Sequence, residues 1–136
     1  MTKDLYVTAA ETPVLLREGQ KYRSDRVRAA DMITVDEPAL FMTVDASTIA
    51  AWISGGRCIG VVSPDREMRL PRWQFEPSAW PSIQPIAGCL GSKDAWQVLD
   101  FLETPAPALN GLTPQVTLEQ GAPLARVLAV AMAESS

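Results

Sequence analysis

Four of the eleven prolines fall close together, at Pro71, Pro77, Pro81 and Pro85. Proline removes a backbone donor, fixes its own φ and pushes the preceding residue out of the helical region, so no single helix runs through this stretch. Trp73, Phe75 and Trp80 lie among these prolines, and aromatic side chains of that size need cover. The pattern predicts an ordered connector packed against both halves, with a boundary near Glu76. Residues 1–75 then form one unit and residues 76–136 a second. A chain of 136 residues is one ordinary domain, or two very small ones sharing a core.

Composition removes several kinds of chemistry. There is no histidine, so Ser-His-Asp triads, Cys-His pairs and His-ligated metals are excluded. Cys58 and Cys89 are too few for a zinc site or a disulfide framework. The longest apolar run, Val127 to Ala133, is too short to span a membrane. No apolar signal run follows Met1-Thr2-Lys3-Asp4-Leu5-Tyr6. These features predict a soluble cytoplasmic protein with reduced thiols, no metal and no cofactor.

The net charge of −4 is unevenly spread. Residues 1–73 hold 10 Lys+Arg and 10 Asp+Glu, whereas residues 74–136 hold 2 and 6. The acidic second half does not suit nucleic acid, while the first half does if its arginines share a face. The densest basic stretch, Arg17 to Arg28, reads either as a phosphate-contacting patch or, more plainly, as a solvated helix face.

Residues 1–23 carry no clear period, and Val14-Leu15-Leu16 fits a strand or a helix end. Ser24 is a candidate N-cap for a short helix, Asp25 to Asp31. Thr34 with Glu37 forms a capping-box pair, predicting a helix from Val35 to about Met42, with Pro38 in its first turn and Ala39, Leu40 and Met42 on its buried side. Asp45 is the next cap candidate. Ile49, Trp52 and Ile53 then fall at i, i+3, i+4, and Gly55-Gly56 stops the second helix. Two short helices joined by about three residues outline a helix-turn-helix. The run 58–63, a Pro64-Asp65-Arg66 turn and the run 67–70 read as a hairpin, placed as a wing would be, with Arg66 at its tip and Arg69 on its return strand.

The second half reads as helices. One spans Ser82 to Leu90, stopped by Gly91. Another is capped by Ser92, with Trp96, Leu99 and Leu102 on its buried face, widened by Val98 and Phe101. A third begins at Thr113-Pro114 and closes at Gly121. The last starts near Pro123, with Leu124, Val127, Leu128 and Ala131 inward and Arg126 outward. The expected fold class is therefore mainly α: a winged helix-turn-helix with a small β-hairpin, followed by a compact helical domain.

Catalysis finds little support. Asp94, Asp100 and Glu103, and separately Asp36-Glu37, read as helix-start and surface charges rather than an acid/base pair. Gly55 to Gly60 lacks the Lys-Ser/Thr of a phosphate loop. Cys58 reads as a small buried residue despite its neighbour Arg57. DNA binding is the better case. In a helix-turn-helix the second helix enters the major groove, which makes Ser47 and Thr48 candidate contacts, with Arg57, Arg66 and Arg69 for phosphates. That helix has no Arg, Lys, Asn or Gln for bidentate base reading, and Asp45 repels phosphate unless spent on capping. Packing or dimerisation is the competing use of the motif.

The segment Arg69-Leu70-Pro71-Arg72-Trp73-Gln74-Phe75 resembles the RLPxWQF signature that opens the C-terminal toxin-binding domain of Xre/MbcA/ParS antitoxins. The likeness continues through Asp94 to Leu102, Thr104-Pro105, Leu109 to Pro114 and Leu118 to Gly121. It covers residues 69–133. Residues 33–70 separately resemble the compact winged helix-turn-helix of excisionase-like and MerR-like proteins. The resemblance implies a mostly helical, dimeric antitoxin that is not an enzyme. It also implies a RES-type toxin partner that consumes NAD and is blocked at its active site, together with promoter binding by the N-terminal unit. Arg72, Arg126 and Glu134 are the candidate toxin contacts, because they should lie off the apolar stripes, whereas Trp73, Phe75, Trp80 and Trp96 are expected in the core. Two departures stand out: the N-terminal unit is shorter than usual, and Asp45, Ala46 and Ala51 sit where basic residues are common. Two other readings remain, a stand-alone DNA-binding regulator and an interaction module whose helix-turn-helix only dimerises.

Overall fold

A computed structural model describes residues 11–91 and 94–135, with side chains from residue 18 onward. The described chain is mainly helical with a small antiparallel sheet. In order it runs α1 (Glu11–Val27), β1 (Met32–Ile33), α2 (Asp36–Met42), α3 (Ala46–Ser54), β2 (Val61–Val62), β3 (Met68–Pro71), α4 (Ile83–Leu90), α5 (Ala95–Glu103), α6 (Pro114–Glu119) and α7 (Leu124–Ser135). Short 3-10 turns at Arg72–Phe75, Trp80–Ser82 and Pro107–Leu109 complete the path. The sheet order is β1-β3-β2, with Ile33 opposite Leu70 and Val61 opposite Arg69.

Two apolar clusters hold the chain together. The larger is built from both sides of the connector: Val27 of α1 and Ile59 and Val61 beside the hairpin join Ile83, Ile86, Leu99, Leu102, Val127 and Ala131 of the later helices. The smaller gathers Ile33, Ile49, Cys58 and Leu70 under α2 and α3. The connector serves both, with Trp73 on the larger cluster and Phe75 and Trp80 on the smaller. This is the ordered, two-sided connector that the proline and aromatic pattern predicts.

The local signals divide. α3 carries Ile49, Trp52 and Ile53 inward, and Gly91 at φ +66 ends α4. The Thr113 side chain accepts the Val116 amide at the start of α6. Gly60 allows close approach, since a Cβ there would lie 2.7 Å from Ile53 Cδ1 and 2.9 Å from Met68 Sδ.

Four expectations are corrected, and one strand was not expected. Ser24 caps nothing, because α1 runs unbroken through it to Val27, and no helix spans 25–31. Thr34 makes no cap: α2 starts at Asp36 with Val35 in the N-cap position, and Glu37 turns instead to Arg72. Leu40 is 81% exposed rather than buried, because Pro38 occupies the inward position. α5 is capped by Asp94, which accepts the Trp96 amide, and Ser92 lies outside the described residues. β1 is a strand that no sequence period marks.

The turn between α2 and α3 holds a second-order cost. Thr43 ends α2 at φ 57 and ψ 49, a left-handed conformation that a β-branched residue adopts at a cost of about 1–2 kcal/mol. Thr43→Gly is therefore expected to raise thermal stability, measured by calorimetry. A fall in Tm would show that the threonine side chain contributes more than its backbone conformation costs.

Candidate interaction surfaces

The first surface is the α2–α3 pair with its hairpin. Two helices joined by residues 43–45 are followed by an antiparallel hairpin with Arg66 at the tip and Arg69 on the return strand. Ser47 is exposed and Thr48 half-buried near the start of α3, among Ala46, Ala50 and Ala51, so this helix shows a small, uncharged face. Asp45 occupies the N-cap position, but its side chain makes no capping bond.

The basic residues here are mostly engaged. The Arg57 guanidinium lies 4.7 Å from the Trp80 ring centre and 5.5 Å from that of Trp52, a cation–π arrangement that holds it against the protein. Arg69 meets Asp65 at 3.1 Å and Glu67 at 3.8 Å. Arg72 meets Glu37 at 3.1 Å. Only Arg66 of the five nucleic-acid candidates is a cation without an ion pair or ring contact among the described residues. No hydrogen bond or ion pair joins Ser47, Thr48, Arg57, Arg66 and Arg69 to one another. In the basic stretch 17–28, Lys21 meets Asp25, Arg23 lies over the Trp96 ring at 5.2 Å and Arg26 meets Asp31 and Glu103, whereas Arg28 is exposed with no ion pair or ring contact among the described residues.

Asp65 organises the hairpin turn. Its carboxylate accepts from the Ser63 hydroxyl, from the Glu67 amide at 2.9 Å and from Arg69. The Ser63 hydroxyl and then the Glu67 amide hold this carboxyl below its ordinary value, against a small opposing effect of burial. A carboxyl lowered by folding stabilises the native state above its unfolded pKa and loses that contribution as pH falls through its folded value. The turn is thus expected to keep its amide protection at neutral pH and lose it in acid. Hydrogen exchange at Glu67 checks this, and Asp65→Asn should abolish the pH dependence.

Beside this surface runs an aromatic row. Phe41 meets Phe75 edge-on with centroids 5.3 Å apart, Phe75 stacks on Trp80 at 5.3 Å, and Trp80 meets Trp52 at 5.4 Å. Leu40 and Phe41 stand at its exposed end.

The RLPRWQF segment is an interlocking corner. Leu70 and Pro71 are fully buried. Trp73 Nε1 donates to Glu103 at 3.1 Å. Gln74, wholly buried, accepts the Ile59 amide at 2.7 Å and donates to the carbonyls of Ile59 at 2.8 Å and Pro71 at 3.2 Å. Glu103 is no plain surface charge: its side chain is only 17% exposed, and it meets Arg26 through two hydrogen bonds at 2.7 and 2.8 Å. Arg26 also meets Asp31 through two bonds. No local sequence signal marks this cluster, whose members are 77 residues apart.

The second surface is a groove of about 590 Å³ between α5, the 105–108 loop and the end of α7. Phe101, Ala106, Pro114 and Val130 give it apolar walls; Asp94, Asp100 and Glu134 give it charge, opposed by Arg23. Burial raises the Asp100 carboxyl above its ordinary value, partly offset by the Tyr22 hydroxyl, which donates at 3.4 Å, and by Arg23. Of the other candidate contacts, Glu134 stands exposed on this groove, Arg126 is exposed near the start of α7, and Arg72 lies apart beside α2.

Cys58 is buried, and loss of solvent pushes its thiol up to about 12 despite Arg57. It therefore stays protonated at neutral pH. Among the described residues no cluster of metal-ligating side chains occurs, and no helix is long and apolar enough to cross a membrane. Compared with known protein families, curated proteins and solved structures, the chain has no match.

Proposed function

We propose that this chain is a type II antitoxin-like protein that binds an NAD-consuming RES-type toxin and blocks its active site. In this reading it acts as a homodimer, in which α2, α3 and the hairpin serve as a winged helix-turn-helix that represses its own promoter. The observation that carries the reading is the segment 69–75. Its buried residues lock the hairpin to the helical half through Gln74 and Trp73, while Arg72 remains exposed. The acidic second half supports a protein partner rather than nucleic acid.

The test is a tagged pull-down from the native host at moderate salt, read by mass spectrometry. The expected result is a stoichiometric partner that degrades NAD once freed from the bait. Recovery of no such partner from cells that express the bait would sink the toxin reading.

The stand-alone regulator is the second reading, favoured by the unpaired Arg66 at the hairpin tip. The pairing of Arg69 and Arg72 and the uncharged face of α3 limit the phosphate contacts, so promoter binding is expected to be weak and its salt slope shallow. Arg66→Glu with Arg69→Glu should abolish any retardation of promoter DNA in a mobility assay and leave partner binding intact. Unchanged retardation by the double variant would remove the hairpin from the DNA contact.

A further inference from the structure

We propose that the groove between α5, the 105–108 loop and the end of α7 docks a lysine- or arginine-bearing segment of a protein partner that also carries aliphatic side chains. The inference deepens the antitoxin reading, and rests on it where the partner is the toxin: it assigns the surface by which the partner is held.

Three features define the occupant. The volume of about 590 Å³ accommodates several side chains. The small residues Ala106, Ala108 and Ala133 on its lining let another backbone approach closely, and Phe101 and Val130 offer apolar contact to aliphatic carbons. The charge is the deciding feature. Among the described residues three carboxylates and one guanidinium line the groove. Asp94 is engaged as the α5 cap, so Asp100 and Glu134 are the carboxylates offered to an occupant, and the guanidinium is drawn over the Trp96 ring. Asp100 is half-buried, and the Tyr22 hydroxyl reaches it only at 3.4 Å, near the outer limit of a hydrogen bond. A carboxylate taken partly out of water, with one weak donor and an Arg23 charge shared with the Trp96 ring, gains from an incoming ammonium or guanidinium. Phosphate-bearing ligands meet repulsion from the same three groups. The surrounding chain agrees, since residues 74–136 hold 2 basic and 6 acidic residues.

The test uses the full chain and two probes, the purified RES-type toxin and an amidated decapeptide of alternating lysine and leucine, with the glutamate–leucine peptide as control. Two variants address the groove by different means. Asp100→Asn with Glu134→Lys reverses its charge, and Ala133→Trp fills it. Both should fold, because Glu134 and Ala133 are exposed and asparagine matches the shape of Asp100; circular dichroism and Tm confirm this. The expected result is amide shifts at Gln97, Ala106 and Ala133 on adding the lysine peptide and none with the control. Affinity for both probes should fall about tenfold or more in each variant, the scale of losing a close charge pair at an interface. Toxin affinity unchanged in both variants would overturn the groove while leaving the antitoxin reading standing. If the toxin fails to bind the unmodified chain, that reading falls and the peptide decides alone: shifts confined to the groove keep the inference, and shifts elsewhere or none overturn it.

Discussion

Glu103→Ala is expected to lower stability by about 3 kcal/mol, the scale seen when one partner of a buried ion pair is removed. The corresponding fall in Tm is about 10 °C for a chain of this size. The reason lies in what Glu103 holds. Its carboxylate bonds two nitrogens of Arg26 and the Trp73 indole, and the Arg26 side chain is only 13% exposed. Truncation leaves Arg26 with Asp31 as its remaining acidic partner and strips the indole N–H of its acceptor. A guanidinium does not deprotonate in proteins, so Arg26 cannot escape by losing its proton once Glu103 is gone. Glu103→Gln keeps an acceptor for the indole and should cost less than Glu103→Ala. The check is urea unfolding of both variants. A loss below about 1 kcal/mol for the alanine variant would place this cluster among ordinary surface pairs.

Gln74→Leu should be comparably damaging for a different reason. Leucine nearly matches the volume, so no large cavity opens. What is lost is hydrogen bonding: the Ile59 amide and carbonyl would both be left unpaired beside a wholly buried side chain. Each orphaned buried group costs about 1–3 kcal/mol. Loosening should begin where residues 59–62 meet the connector, so amide exchange at Ile59 and Val61 should accelerate before the rest. Exchange that speeds up uniformly would show that the corner does not fail first. Gln74 thus gives a plain physical reason for a glutamine at that point of the RLPRWQF segment, since one amide side chain satisfies both backbone groups of a neighbouring residue.

The parts of this fold legible in the sequence are those set by local rules. α3, α5 and α7 show their buried faces at helical spacing, and Gly91 and the Thr113-Pro114 pair mark ends that follow from backbone chemistry. α1 was hidden because it is largely polar and its first strong anchor in the described core is Val27. β1 was hidden because two residues carry no period, and they become a strand only by pairing with Leu70 and Pro71. Leu40 was misplaced because α2 turns Pro38 inward, and two residues further on the helix has rotated by about 200°, toward solvent. Of the candidate contacts, the exposure of Arg72, Arg126 and Glu134 is readable from their places off the apolar stripes, and that of Arg66 from the hairpin tip. The capture of Arg57 by two indoles is not, because Trp80 comes from the connector, well beyond Arg57 in sequence. The groove was equally invisible, since it is assembled from α5, a loop and α7.

The tie between Arg26 and Glu103 has a further consequence for how the chain is made. A ribosome delivers residues from the N-terminus at roughly 5–20 per second. α1 emerges early, yet the carboxylate that anchors it is 77 residues downstream. Val27 likewise belongs to a core most of whose other side chains come from α4, α5, α6 and α7, with Ile59 and Val61 before them. A nascent chain ending near Leu90 would have its hairpin, the smaller apolar cluster and α4 available, but would lack Glu103 and the share of the larger core that α5, α6 and α7 supply. Loop closure over such a span is slow compared with local helix formation. α1 is therefore among the last of the described elements to be fully secured, and a partner or chaperone that meets the chain during translation encounters α1 incompletely docked.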